Sequence, residues 1–286
     1  MNGTVAGLHR YPVKSMQGEP VDAGQLTERG LTGDRVFAVV EESGRIGSVK
    51  HPRKWGPLLA CRGRILDHDD TAAGVVLPDG VELAAGSAEL DERLSTLLGR
   101  PVSVLASPPA DPILERADPG VPGTVPQRTL GTVVVDETGT RITSNTLAAA
   151  SAPGTFFDFA PLHLVTTASL ARLRRANPDS DFDPLRFRPN LVVDVPDHEG
   201  FPEDDWVGRT LRIGATVRCR VVVASPRCVV PTLAHGGLPA DPAVLRTIAR
   251  EHRVPVFDLG DLSCLGVYLQ VVEPGPVRVG DAVTVE

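Results

Sequence analysis

Val217-Arg218-Cys219-Arg220-Val221-Val222-Val223-Ala224-Ser225-Pro226-Arg227-Cys228 reads as one strand followed by a break. Val217, Cys219, Val221 and Val223 recur at the two-residue period of a pleated strand, which predicts one apolar face and puts Cys219 in a core. The strand is predicted at residues 217–223, and Pro226, which brings no backbone donor, lies beyond it. Cys228 therefore falls beyond the strand, next to the cation of Arg227. A neighbouring cation favours the thiolate, the form in which a cysteine ligates a soft metal or attacks an electrophile. Spacing alone fits an incidental loop thiol equally well.

The same reading extends outward. Further strands are predicted at residues 191–195, 211–213, 267–272 and 277–285. One helix begins at Thr166 or Thr167, buries Leu170 and Leu173, and stops before Asn177-Pro178. Another has Asp241 as N-cap and Pro242 at its first position, and buries Val244, Leu245 and Ile248. The first hundred residues are mostly β, with apolar stretches at 36–40 and 58–61 and a hairpin about Pro78-Asp79-Gly80. A helix follows, capped by Ser87, striped by Leu90, Leu94, Leu97 and Leu98, and stopped by Gly99. Residues 107–127 are rich in Pro, Asp and Gly and mark a connection. The predicted organisation is α+β and mostly β. A β-barrel-like N-terminal domain spans 1–106, a linker 107–127, and a barrel with flanking helices 128–286. Short strands with irregularly placed helices argue against a doubly wound sheet.

Composition excludes several functions. A net charge of −7 argues against nucleic acid or an anionic membrane as partner. No apolar run is long enough to span a bilayer, and the N-terminus lacks the pattern of a signal peptide. The four cysteines form no C-x-x-C pair, which argues against zinc, a cysteine-ligated cluster or a disulfide framework and fits a reducing cytoplasm. Phosphate-loop, dinucleotide, nucleophile-elbow and H-E-x-x-H signatures are absent.

What remains is a set of polar clusters where strands end. Tyr11-Pro12-Val13-Lys14-Ser15 offers an ammonium, a hydroxyl and turn N–H groups to a phosphate. Gly33-Asp34-Arg35, Ser48-Val49-Lys50-His51 and Arg186-Phe187-Arg188-Pro189-Asn190 add cations and an amide that could read a heterocycle edge. Each alone fits a solvated turn or a surface ion pair. Together they supply donors for an anionic heterocycle, and Cys228 supplies one soft ligand.

In this order, with Glu203-Asp204-Asp205-Trp206-Val207-Gly208 and Val277-Arg278-Val279-Gly280-Asp281, the clusters resemble the MOSC-domain proteins that carry an associated N-terminal β-barrel domain. That group includes amidoxime-reducing components and the C-terminal part of molybdenum cofactor sulfurase. The resemblance implies a molybdenum–molybdopterin cofactor with Cys228 as metal ligand. It places Lys14, Ser15, Arg35, Lys50, Arg186, Arg188, Asn190 and Arg227 around the pterin and its phosphate. Asp158 matches an acidic position near the metal and is the second catalytic candidate. Phe159 and Ala160 stand where amidoxime reducers carry hydroxyl residues.

The implied reaction removes oxygen from a small N-hydroxylated substrate; a cofactor or sulfur carrier without turnover is the alternative. With no cluster cysteines and no flavin or nicotinamide fingerprint, electrons are expected from a separate protein such as a ferredoxin or flavodoxin. His163, between Leu162 and Leu164, reads as a satisfied buried histidine; His9, His68 and His198 read as surface or loop residues. Thr232 and His235 are expected near the pocket mouth.

Overall fold

The structure, a computed structural model, describes residues 2–66, 72–146, 152 and 154–286, so His68 lies outside the described residues. Seven strands close into a barrel: β1 (Asn2–Arg10), β2 (Leu162–Thr166), β3 (Leu191–Asp194), β4 (Thr210–Ile213), β5 (Val217–Pro226), β6 (Asp261–Glu273) and β7 (Ala282–Val285). Their order is β2-β3-β1-β7-β4-β5-β6, and β6 returns to pair with β2. Closure leaves no unpaired edge among these staves. The alternating inner face of each stave supplies the core, including Val5, Leu8, Leu164, Val193, Leu211, Cys219, Val221 and Leu269. Burying each such Val or Leu side chain contributes roughly 1.5–3 kcal/mol.

β1 pairs antiparallel with β3 on one side and β7 on the other. The segment assigned to the N-terminal domain thus provides a stave of the C-terminal barrel. Much of the rest of that segment packs a second core around Val13, Met16, Val39, Trp55, Leu58, Leu90 and Leu94, while Leu26 and Leu31 join the barrel core.

The helices form where caps and stripes predict them. α1 (Ala88–Leu98) has Ser87 accepting from the Leu90 N–H and ends at Gly99 in the left-handed region. α2 (Thr167–Ala176) is capped by Thr166, and α3 (Pro242–Glu251) by Asp241. These two helices bury Leu170, Leu173, Val244 and Ile248 in a third cluster against the barrel.

Three predicted stretches differ. Residues 56–60 form a 3₁₀ helix, not a strand, because an unbroken apolar run carries no period and Pro57 suits a first turn. The stretch 277–285 is two strands, Gly275–Arg278 and β7, divided at Gly280 with φ +95°. Within 107–127, Ile113–Ala117 is a strand paired with Arg141–Thr146. No helix among the described residues is long and apolar enough to cross a membrane.

Candidate functional site

One pocket opens between N-terminal residues such as Lys14, Arg35 and Lys50 and barrel-strand residues such as His163, Pro226 and Tyr268, and all ten residues given a site role from the sequence line it. β5 delivers the thiol. Three register shifts against β6 break its regular pairing before Pro226, and such bulges bend a strand. The chain beyond leaves the barrel, and Cys228 and Val230 pack onto the N-terminal core. Cys228 is half-buried, whereas Cys61, Cys219 and Cys264 are buried. Burial pushes the Cys61 thiol up to about 11 and those of Cys219 and Cys264 to about 12, so all three stay protonated and inert near neutrality.

The turn after β1 carries Lys14 and Ser15. Lys14 Nζ donates to the Phe156 carbonyl at 2.7 Å and pairs with one oxygen of Asp158. Lys50 Nζ reaches the other oxygen at 2.7 Å. Burial alone would raise the Asp158 carboxyl, but the two ammonium groups outweigh it and hold it well below the usual range. Burial lowers Lys14 to about 8, more than Asp158 restores. The Ser15 hydroxyl donates to the Gly47 carbonyl at 3.0 Å and accepts from the Val49 N–H at 3.2 Å. It thereby ties down the turn that carries Lys50.

Asp34, quoted in the sequence only as a neighbour of Arg35, organises the next layer. It accepts from the Tyr11 N–H at 2.7 Å and from the Asn190 amide at 3.0 Å, and it pairs with Arg35. Its signal was an acid buried between Gly33 and Arg35. Arg35 and Arg188 lie over the Tyr11 ring, at 4.6 Å and 4.3 Å from its centroid. Burial, then the neighbouring Arg35, lowers the Arg188 guanidinium to about 10. Among the described residues, the carboxylates paired with Lys14, Arg35 and Lys50 here are those of Asp34 and Asp158, which leaves an excess of positive charge in a concave site. Such a site concentrates anions.

Ser15, Arg35 and Arg188 have φ of 71°, 49° and 55°. A side chain in this left-handed region costs about 1–3 kcal/mol, and such strain collects at functional sites.

Three predicted ligands are already engaged. Arg186 is fully buried and donates to the carbonyls of Asp181, Pro231 and Pro239 at 2.7, 3.2 and 3.0 Å. The Asn190 amide donates to His9 and Asp34 and accepts from the His163 N–H and Arg35. No amide hydrogen of Asn190 is left to read a heterocycle. Arg227 donates to Ser225 and to the Phe187 carbonyl. His163 lines the pocket, is buried and bonds the Leu265 carbonyl at 3.2 Å; burial, then Arg227, lowers its pKa well below the ordinary value. Both ring nitrogens of His235 meet carbonyls, and the Thr232 hydroxyl donates to Val229. Neither Thr232 nor His235 lines the pocket, nor do His9 and His198.

The MOSC domain model matches residues 152–284, and the MOSC N-terminal beta barrel domain model matches residues 2–59. The chain is a MOSC-domain protein. It is 27% identical over 304 aligned residues to mitochondrial amidoxime reducing component 2 of Homo sapiens, covering 98% of this chain and 83% of that one. Among solved structures, the YUAD protein from Bacillus subtilis aligns over 100% of this chain and 96% of its own at 12% identity, TM-score 0.47. YiiM from Geobacillus stearothermophilus aligns over 44% of this chain and 54% of its own at 15% identity, TM-score 0.31. Shape likenesses at these scores add nothing to the assignment. This MOSC-domain chain takes its first stave from the segment that the N-terminal model matches.

Proposed function

We infer that the pocket holds a molybdenum–pterin cofactor, with the Cys228 sulfur as the protein's ligand to the metal, and that the protein reduces N-hydroxylated compounds. The observation that carries this reading is one pocket joining a half-buried thiol to six cationic side chains, Lys14, Arg35, Lys50, Arg186, Arg188 and Arg227. The donor set fits the group. Lys14, Lys50, Arg35 and Arg188 suit a phosphate, and a thiolate suits a soft metal. Among the described residues no group of three or more His, Cys, Asp or Glu is placed to hold an ion. A metal here therefore arrives with most of its ligands, as a dithiolene-bearing pterin does.

When bound, such a cofactor supplies two-electron chemistry at an N–O bond. Overall, an N-hydroxyl group, two electrons and two protons give the N–H compound and water. The chain's own part is positional and protonic. Arg186 and Asn190 hold the walls in shape, and Asp158 stays ionised between two ammonium groups. Lys14, lowered to about 8, holds a proton it can exchange near neutrality beside Asp158. Electrons are to come from a separate carrier such as a ferredoxin or flavodoxin, docked weakly.

Protein made in a molybdenum-replete host should contain molybdenum and the fluorescent oxidised pterin. It should reduce benzamidoxime with reduced viologen, but not with NADPH alone. Purified protein with neither metal nor pterin, and no reduction, would overturn the reading.

A further inference from the structure

Aromatic residues make up only 4% of the chain, yet five of its twelve Phe, Tyr and Trp side chains line the pocket. Some of them belong to a ladder that leads out of it. The ring centroids of His163 and Tyr268 are 5.7 Å apart, those of Tyr268 and Phe159 5.3 Å, and those of Phe159 and Phe257 6.0 Å, each pair tilted. These separations are within the attractive range for rings.

The inner end of the ladder, His163, is buried; the outer end, Phe257, is 58% exposed. Phe257 sits at the turn between Arg253–Pro255 and β6, with φ of 48°. Gly or Asn would adopt that backbone at lower cost. Among the described residues, the other non-glycine positions with positive φ are Ser15, Arg35 and Arg188, and all three line the pocket. A large ring that is exposed, strained and braced on the pocket wall does little for the core. Its open face suits a ligand ring.

We propose that Phe159, Tyr268 and Phe257 form an aromatic shelf at the pocket that receives a planar aryl or heteroaryl group, so that the protein prefers aryl N-hydroxylated substrates to alkyl ones. This specificity rests on the reductase reading above. The cations of the pocket recognise charge, whereas the shelf is neutral and selects by stacking.

The test compares benzamidoxime with acetamidoxime, both reduced with viologen as donor, in the molybdenum-loaded wild type and in Phe257→Gly and Phe159→Ala. The wild type should favour benzamidoxime in kcat/KM, and each variant should lower that preference about three- to tenfold, mainly through KM. Phe257→Gly should melt no lower than the wild type, since glycine relieves the backbone. Saturation-transfer NMR should show ring protons of benzamidoxime on the wild type and weakened contact in both variants. Equal kcat/KM for the two compounds in the wild type overturns the shelf and leaves the reductase reading standing. Unchanged preference in both variants overturns it too. If neither compound is reduced, the reductase reading falls, and absent ring contact by NMR removes the shelf with it.

Discussion

Arg186 and Asn190, on the barrel side of the pocket, spend their hydrogen bonds on the protein itself. Arg186 clamps three carbonyls, and Asn190 links the start of β3 to β1, β2 and Asp34. Lys14 and Lys50, on the N-terminal side, share a single carboxylate whose side chain is 30% exposed. All four line the pocket, but the donors of Arg186 and Asn190 are taken up by the protein, and on the barrel side the charge that stays available belongs to Arg188. Arg186 and Asn190 fix the shape of the pocket, and the two lysines, with Arg35 and Arg188, fix what it attracts. Cys228 joins the two sides, leaving the barrel on β5 and packing on the N-terminal core.

The largest effect expected from this contrast is at the junction. Cys228→Ala should abolish reductase activity and metal retention. Cys61→Ala, Cys219→Ala and Cys264→Ala should lower only the melting temperature, because those thiols are core groups. Metal analysis beside turnover separates the cases. Full activity in Cys228→Ala, or an equal metal loss in Cys219→Ala, would sink the ligand assignment.

Next come the two sides themselves. Lys14→Ala and Arg35→Ala should each weaken pterin retention by roughly ten- to hundredfold, the worth of a lost charge-assisted hydrogen bond. Their folded content by circular dichroism should be unchanged. Arg186→Ala should do the reverse, costing roughly 2–4 kcal/mol of stability by stranding buried carbonyls, while the fraction that stays folded keeps its pterin. Urea unfolding and pterin fluorescence on the same samples read both numbers. A stable Arg186→Ala protein lacking pterin would erase the distinction between the sides.

Much of this was open to sequence reading, and the parts that were not share a cause. The β5 alternation, the three helix caps and the cationic clusters are local, and each formed where the residues predicted. The barrel partners of β1 are nearly two hundred residues or more away in the chain, at β3 and β7. Alternation tells a strand which face is buried but not beside which strand it lies. Tyr268 was hidden for a similar reason, since a ring in an apolar stretch reads as core until the opposite wall is known. The engagement of Arg186 and Asn190 was equally invisible, because a donor's partners are set by tertiary contacts.

The smallest expected effect is a pH dependence, and it tests the N-terminal side alone. Lys14 drops from an ordinary value of 10.5 to about 8, through burial first, with Asp158 opposing and Lys50 and Arg35 assisting. Only the ammonium form attracts an anion, so affinity for inorganic phosphate should fall as pH rises through about 8 and level off by about 10. Stability moves the other way. Between about 8 and 10.5 the unfolded chain holds this proton and the folded chain does not, so the contribution of Lys14 to stability grows with pH across that window. A calorimetric phosphate titration should therefore lose about tenfold in affinity without a matching fall in melting temperature at the same step. Lys14→Met should bind phosphate weakly and show no step near 8. A wild-type profile that is flat across the window, or a step of equal size in Lys14→Met, would remove Lys14 from the anion site and leave Lys50, Arg35 and Arg188 to account for it.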